Sequence, residues 1–417
     1  MAFVSQKRNV GFHVPVARLL CLVMTDTDIF ISGAGIAGMI GAALLARRGY
    51  RVTVCDPATP PEEMTSEGSD LRSTAYLAPS IAVLEEAGLW EKLVPDATPL
   101  EALRVMDSAG WPPRQTATRT FRPADLVLDA FGRNVMNWRA HRTLLGALRD
   151  APNVTLMLGV GFADLLARDD RAFVTLTDGT RLTAKLVIGA DGRTSPVREA
   201  CGIETRIRRY GQKAVAFACT HDLPHQGIST EIYNAGGAMV TVPLADQNGS
   251  PASCIVWMDN GDAITALTRM EPDAFNARLA DRAMHVLGPM RKATPLRVWP
   301  IVTQTVNQLI ARRTALVAEA AHVMPPIGAQ GLNTSIADMK TLADLLGEDP
   351  GDPDGLARYA SLRHRDLAIR TAAIDAYNRL CRSGSGPIQA IRAAGLRGVA
   401  DIAPLRQRIM KAGMGGA

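Results

Sequence analysis

A chain of 417 residues, 47% hydrophobic and 21% charged, is long enough to bury a large core and too apolar to stay unfolded. Its length suits two intimately joined domains or one large α/β domain. A net charge of +5 spread over that length describes an ordinary solvated surface, and with no zinc-finger or RNA-recognition signature present, no nucleic-acid partner is expected.

In chain order, Lys7 and Arg8 precede a short apolar run, Leu19 to Met24, far below the ~20 residues a spanning helix needs. No small-residue cleavage site follows, so residues 1–25 are expected to be an extension, disordered or arising from a misassigned start, on a cytoplasmic protein. Ile29-Phe30-Ile31-Ser32 then reads as a strand, Gly33-Ala34-Gly35-Ile36-Ala37-Gly38 as a glycine turn and Met39 to Arg48 as a helix. Arg51 to Asp56 is a second strand with its acid at the carboxyl end. In such a βαβ unit Gly33 permits the tight turn, Gly35 the close approach of a pyrophosphate and Gly38 close helix packing, while the helix N-terminus offers N–H groups to the anion. Asp56 is placed to bond a ribose diol, which argues against a 2′-phosphate; the motif alone leaves FAD and NAD open.

A second block, Leu186 to Arg198, is an apolar strand emptying into Gly189-Ala190-Asp191-Gly192-Arg193, with a carboxylate where open α/β sheets hold ligands. Between it and the third block, Val215 to Cys219, Ala238 to Pro243 and Cys254 to Met258 read as strands of a mostly antiparallel insertion. The third block follows the strand Ala315-Leu316-Val317 and runs from Ala318-Glu319-Ala320-Ala321-His322 through Pro325-Pro326 to Gln330-Gly331-Leu332-Asn333. It is a shaped loop delivering a helix from Ser335 to Leu346. Residues from Pro350 onward are helical in pattern, broken at Ser383-Gly384-Ser385-Gly386. From Arg358 to Lys411 eleven Lys or Arg face three Asp and no Glu, so this tail carries more than the whole net charge. Six scattered cysteines (Cys21, Cys55, Cys201, Cys219, Cys254, Cys381) and dispersed histidines suggest no disulfide framework and no metal site.

Together the three blocks resemble the FAD-dependent aromatic hydroxylases of the p-hydroxybenzoate hydroxylase fold, over nearly all of residues 26–415. Within them the chain is most similar to the ubiquinone-biosynthesis hydroxylases, through Tyr210-Gly211-Gln212-Lys213-Ala214, the Pro325-to-Asn333 loop and the tail from Leu396-Arg397-Gly398 to Met414-Gly415. The resemblance implies an α/β fold: a Rossmann-like FAD-binding domain (26–98, 133–205 and 301–349), an inserted, mostly antiparallel substrate-binding sheet (99–132 and 206–300) and C-terminal helices (350–417). It implies that Gly33, Gly35 and Gly38 hold the FAD pyrophosphate, Asp56 the adenosine ribose, and that Arg72 lies near the flavin. Asp191 and Gly192, with Ser195 and Arg198, match the family's Asp-Gly motif, and Gln330, Gly331, Leu332 and Asn333 the loop facing the flavin pyrimidine edge.

Two departures stand out. Ala318-Glu319 occupies the place of the family's Gly-Asp, and Gly328-Ala329 that of its Ala-Gly. Glu319 is then the expected ribitol partner, one methylene longer than Asp. His322 is expected to shape the loop, and no catalytic base is assigned, since in this class a reduced flavin captures O2 and a C4a-hydroperoxide passes oxygen to an electron-rich ring.

The activity implied is an FAD-dependent monooxygenase hydroxylating a polyprenylated phenol in ubiquinone biosynthesis. NAD(P)H or a protein electron donor is the reductant, and quinone-biosynthesis complex subunits and a peripheral membrane contact through the basic C-terminal helices are the partners. The alternatives are a flavin hydroxylase of another phenolic metabolite and a non-catalytic relative serving as an assembly subunit.

Overall fold

The computed structural model describes residues 25–59, 61, 63–64 and 69–415. The expected N-terminal extension lies outside the described residues, apart from Thr25.

The opening strand β1 (Thr25–Ser32) carries Ile29, Phe30 and Ile31 at full burial because it runs in the middle of a sheet. It pairs in parallel with Arg181–Gly189 on one side and with β2 (Val52–Asp56) on the other, and β2 pairs in parallel with Val154–Leu158. Parallel strands covered on both faces need continuous apolar runs, which is what these sequences supply. The helix α1 (Ile36–Arg47) between β1 and β2 buries ten of its residues, from Ala37 to Ala46. It begins three residues earlier than its composition suggests, so the third glycine sits inside its first turn rather than in the loop before it.

The second sheet has nine strands and is mostly antiparallel, built around Thr205–His221, Ser250–Asn260, Gly237–Gln247, Ile228–Asn234 and Ala102–Ala109, with Arg297–Val306 on the other flank. One face packs Val215, Phe217, Ile232, Met239 and Ile255 against Phe275 and Leu279 of the helix Pro272–Arg282. The other face turns Ala218, Val242, Leu244 and Cys254 towards Met136 and Trp138, which lead out of the nucleotide-binding part. A third, three-stranded sheet includes β3 (Ser73–Leu77) paired with Gly132–Met136.

The helix after the Pro-Pro loop spans Gln330–Leu345, five residues longer at its start than expected. Gly331 and Asn333 disfavour helix interiors, but they fall in its first turn, where Asn333 makes two bonds outward, to Leu77 and Ala75, and one back to the Ala329 carbonyl at the cap. The chain closes with a 30-residue helix, Pro353–Arg382, capped by Asp352, whose Oδ2 accepts from Gly355 N at 2.8 Å, and started by Pro353. Two shorter helices, Gly386–Asp401 and Ala403–Met414, follow the Ser-Gly break. Among the described residues, no helix is long and apolar enough to cross a membrane.

Candidate functional site

The glycine turn, the Asp-Gly block and the end of β2 meet at the carboxyl edge of the parallel sheet. Ser32 pairs with Gly189 in register, Ala190 N donates to Ser32 O at 2.8 Å, and Gly33 N donates to Cys55 O at 2.8 Å. Gly33 has φ +108°, and a Cβ there would run into the Ala190 carbonyl. A Cβ on Gly38 would strike the Gly33 carbonyl. Gly35 is different: its missing Cβ faces open space, so no protein atom there requires glycine and the backbone is left open to a close approach.

Asp56 closes this turn. Its Oδ2 accepts from Ala34 N and its Oδ1 from Ala58 N, each at 2.8 Å. Each oxygen keeps one accepting position, so the residue shapes the turn and can still meet a diol. Asp191 accepts at Oδ2 from Ser32 Oγ at 3.1 Å and from Val197 N at 3.2 Å, while its buried Oδ1 has no partner. Burial pushes the Asp191 carboxyl up from the ordinary range despite those donors. Gly192 follows with φ +83°, and Ser195 Oγ accepts from Arg198 N at 3.0 Å.

Arg72, at the start of β3, is held in a fork by Asp70, at 2.8 and 2.7 Å, and lies over the Trp299 ring at 5.2 Å from its centroid. Burial alone would raise the Asp70 carboxyl, but bonds from Arg72 and Asn137 hold it low. Burial likewise works against the Arg72 charge, which Asp70 and then Glu319 favour. Glu319 is therefore in electrostatic reach of Arg72, with an exposed side chain on the single turn Ala318–Ala321. The expected strand end at this position is that short helix. It is tied to the Asp-Gly block by Arg198 Nη1, which donates to Ala320 O at 2.9 Å.

In the loop, Gln330 and Asn333 use their side chains to hold structure. Gln330 Nε2 donates to Gly328 O and to Gly413 O, at 2.9 and 2.7 Å, and its Oε1 accepts from Arg370 at 2.9 Å. Asn333 Oδ1 accepts from Leu77 N at 2.9 Å, and Nδ2 donates to Ala75 O and Ala329 O. Gly331 has open space where a Cβ would stand, and Leu332 packs its side chain on the core. The helix they begin has no side-chain cap, so its first N–H groups and positive dipole end stay free for an anionic group.

Sequence reading missed two features. His322 belongs to a buried cluster: Nε2 meets Asp338 Oδ2 at 2.6 Å, and Arg363 Nε donates to Asp338 Oδ1 at 2.7 Å, all three buried. The signal was Asp338 itself, an acid set directly between Ile336-Ala337 and Met339. His141 lies beside the glycine turn with its buried Nδ1 unpartnered, and burial pushes its pKa down.

The open space at Gly35, the orphaned Asp191 Oδ1, the exposed Glu319 and the uncapped helix start fit a large phosphate-bearing cofactor with a polar ring edge. The comparisons agree. The FAD binding domain family matches residues 26–371. The ubiquinone hydroxylase UbiL of Rhodospirillum rubrum is 32% identical over 394 residues, covering 93% of this chain and 89% of its own. The 3-demethoxyubiquinol 3-hydroxylase of Escherichia coli is 30% identical over 93% of this chain and 98% of its own. In fold, p-nitrophenol 4-monooxygenase PnpA from Pseudomonas putida superposes with a TM-score of 0.76 at 19% identity, over 94% of this chain and 99% of that one. The expected α/β fold and the resemblance are both borne out. The chain belongs to the FAD binding domain family, as an FAD-dependent monooxygenase of the group that includes the ubiquinone hydroxylases.

Proposed function

We propose that the protein hydroxylates the aromatic ring of a polyprenylated phenol in ubiquinone biosynthesis. The relatives named as ubiquinone and demethoxyubiquinol hydroxylases, matching along almost their whole length, carry this reading. Bound flavin would supply the oxygen-activating chemistry; the chain's own residues bind, orient and exclude water. In this reading Gly33, Gly35 and Gly38 cradle the pyrophosphate, Asp56 meets the adenosine ribose, Asp191 uses its free Oδ1, and Glu319 reaches the ribitol. The N–H groups at Gln330–Asn333 face the flavin edge, where the helix dipole favours the negative charge of the reduced ring. The same reading keeps the domain division given above, except that Arg297–Val306 and His322–Val323 join the nine-stranded sheet, with that sheet as the floor of the substrate site and NAD(P)H or a protein donor as reductant.

The C-terminal helices give a membrane contact partial support. Several of the tail's cations are spent in ion pairs: Arg363 and Arg370 on Asp366, Arg379 on Asp375, Arg392 on Asp107 and Arg406 on Asp125. Arg397, Arg408 and Lys411 remain exposed, beside an exposed apolar stripe of Ile402, Leu405 and Ile409 at helical spacing.

The test is genetic and chemical. Deleting the gene should abolish or lower ubiquinone and accumulate a polyprenylated ring lacking one hydroxyl, identified by mass spectrometry. Unchanged quinone content and no such intermediate would contradict the reading.

A further inference from the structure

The register of the nine-stranded sheet lines up Ala216, Val256, Val240, Glu231 and Val105 as a row across five strands, on the face that carries Val242 and Cys254. In such a row every side chain stands on one side of the sheet. Glu231 is its single carboxylate; the row ends in Arg297 on one side and in Arg119, which is paired with Asp401, on the other. The neighbouring row sets Trp299 beside Ala214 and Met258 and, farther across, Tyr233 beside Ala238. Trp299 is the ring beneath Arg72, so Glu231 and Tyr233 share a floor with the Arg72 corner of the flavin site.

Glu231 stands in an unusual environment. Tyr233, itself 2% exposed, donates its hydroxyl to Glu231 Oε2 at 2.5 Å. Among the described residues no donor reaches Oε1 and no cation pairs with the carboxylate; the acid in the next row, Asp107, is matched by Arg392. Tyr377, from the long C-terminal helix, sets its ring edge-on to Tyr233 at 5.5 Å between centroids. Tyr377 keeps 37% of its surface accessible, and Glu231, Val240, Val242 and Val256 are only half-buried although they sit mid-sheet under helices. Yet burial pushes both the Glu231 carboxyl and the Tyr377 phenol up. These mid-sheet groups keep surface open beneath the helices, so the sheet leaves a recess there, with Val240, Val242 and Val256 beside a single free carboxylate oxygen.

We propose that Glu231, steadied by Tyr233, is the acceptor for the phenolic hydroxyl of the substrate ring, with Tyr377 as the facing wall of the recess. This rests on the phenol reading above. The step is a proton transfer: the ring O–H bond breaks, a bond from hydrogen to Glu231 Oε1 forms, and the electron pair left on the ring oxygen raises electron density at the carbons ortho and para to it. Nothing is oxidised or reduced. A carboxylate whose proton affinity is raised by burial is the better-matched partner for a phenol, whose own proton is held more tightly still.

The test uses the FAD-loaded full chain and two probes, 2-geranylphenol and its methyl ether, titrated by calorimetry. Wild type should bind the phenol about tenfold tighter than the ether, the scale of one hydrogen bond to a charged group. E231Q should lose that preference while binding the ether as before. Equal weakening of both probes, or an undiminished preference for the phenol, would overturn the assignment. Should E231Q fail to retain FAD, Y233F decides: it removes one oxygen, and its preference should fall about threefold; full preference in Y233F would overturn the inference. Wild type that binds both probes equally sinks Glu231 as the acceptor and leaves the hydroxylase reading standing. Wild type that binds neither sinks the substrate reading, and this inference with it.

Discussion

The turn at Gly33–Gly38 and the segment Ala318–Ala329 both bend the backbone into the left-handed region next to the same site, by different means. Gly33 takes φ +108° at no steric cost, whereas Ala318 and Ala329 sit at +54° and +55°, where an L-side chain is strained by about 1–2 kcal/mol each. These are the positions at which the family pattern has glycine. The strained pair is held from outside: Ala318 N donates to Asp338 Oδ2 at 3.1 Å, and Ala329 O accepts from Asn333 Nδ2 at 2.7 Å. A glycine turn is built by its own backbone freedom; an alanine turn needs partners to keep it bent.

The sharpest way to break the alanine side is to remove its anchor. Asp338→Ala leaves His322 buried without its acid and Arg363 with Asp366 alone, and should destabilise the protein by about 3–5 kcal/mol, read as a shift in denaturant midpoint. The same acid sets a pH dependence. Burial tends to raise Asp338, but His322 and Arg363 prevail and hold it below the ordinary carboxylate range. Its contribution is therefore complete above the unfolded carboxylate pKa and lost as pH falls through the lower folded one. Asp338→Asn should flatten that acid limb; an unchanged limb would separate Asp338 from it.

On the glycine side, Gly38→Ala should cost about 3 kcal/mol, since its methyl meets a carbonyl that cannot turn aside. Gly35→Ala meets no protein atom and should leave stability nearly unchanged while weakening FAD binding. Glu319→Ala should weaken FAD retention about tenfold, one lost bond to a charged group, with Glu319→Asp equal to wild type or tighter. Unchanged retention in Glu319→Ala would remove it from the ribitol.

The smallest effect sharpens the contrast most. Ala329→Gly should stabilise by about 0.5–1 kcal/mol, the relieved strain less the greater unfolded-state freedom of glycine. A destabilised Ala329→Gly would mean that its backbone is not strained.

The glycine turn and its strand–helix–strand frame were legible because they depend on neighbours in sequence: apolar runs, glycine spacing and an acid at a strand end. Asp56 stands at the end of its strand, as the pattern predicts, but its bonds to Ala34 and Ala58 are not visible in the sequence, which fixes where an acid stands and not the use of each oxygen. The Gly and Asn of Gln330–Asn333 predict a loop, whereas the fold makes the run a first helical turn through contacts with β3, more than 250 residues away. The His322–Asp338–Arg363 cluster and the Glu231–Tyr233 recess depend on long-range packing and strand register, which no local pattern encodes.

The most direct test is the visible absorption spectrum of the purified protein, with the released cofactor identified by chromatography. The two dissimilar turns described here predict stoichiometric FAD and the absorption bands of a bound flavin. A colourless protein that takes up no FAD even when it is supplied would contradict the account at its centre, and would turn attention to the reading of a non-catalytic assembly subunit.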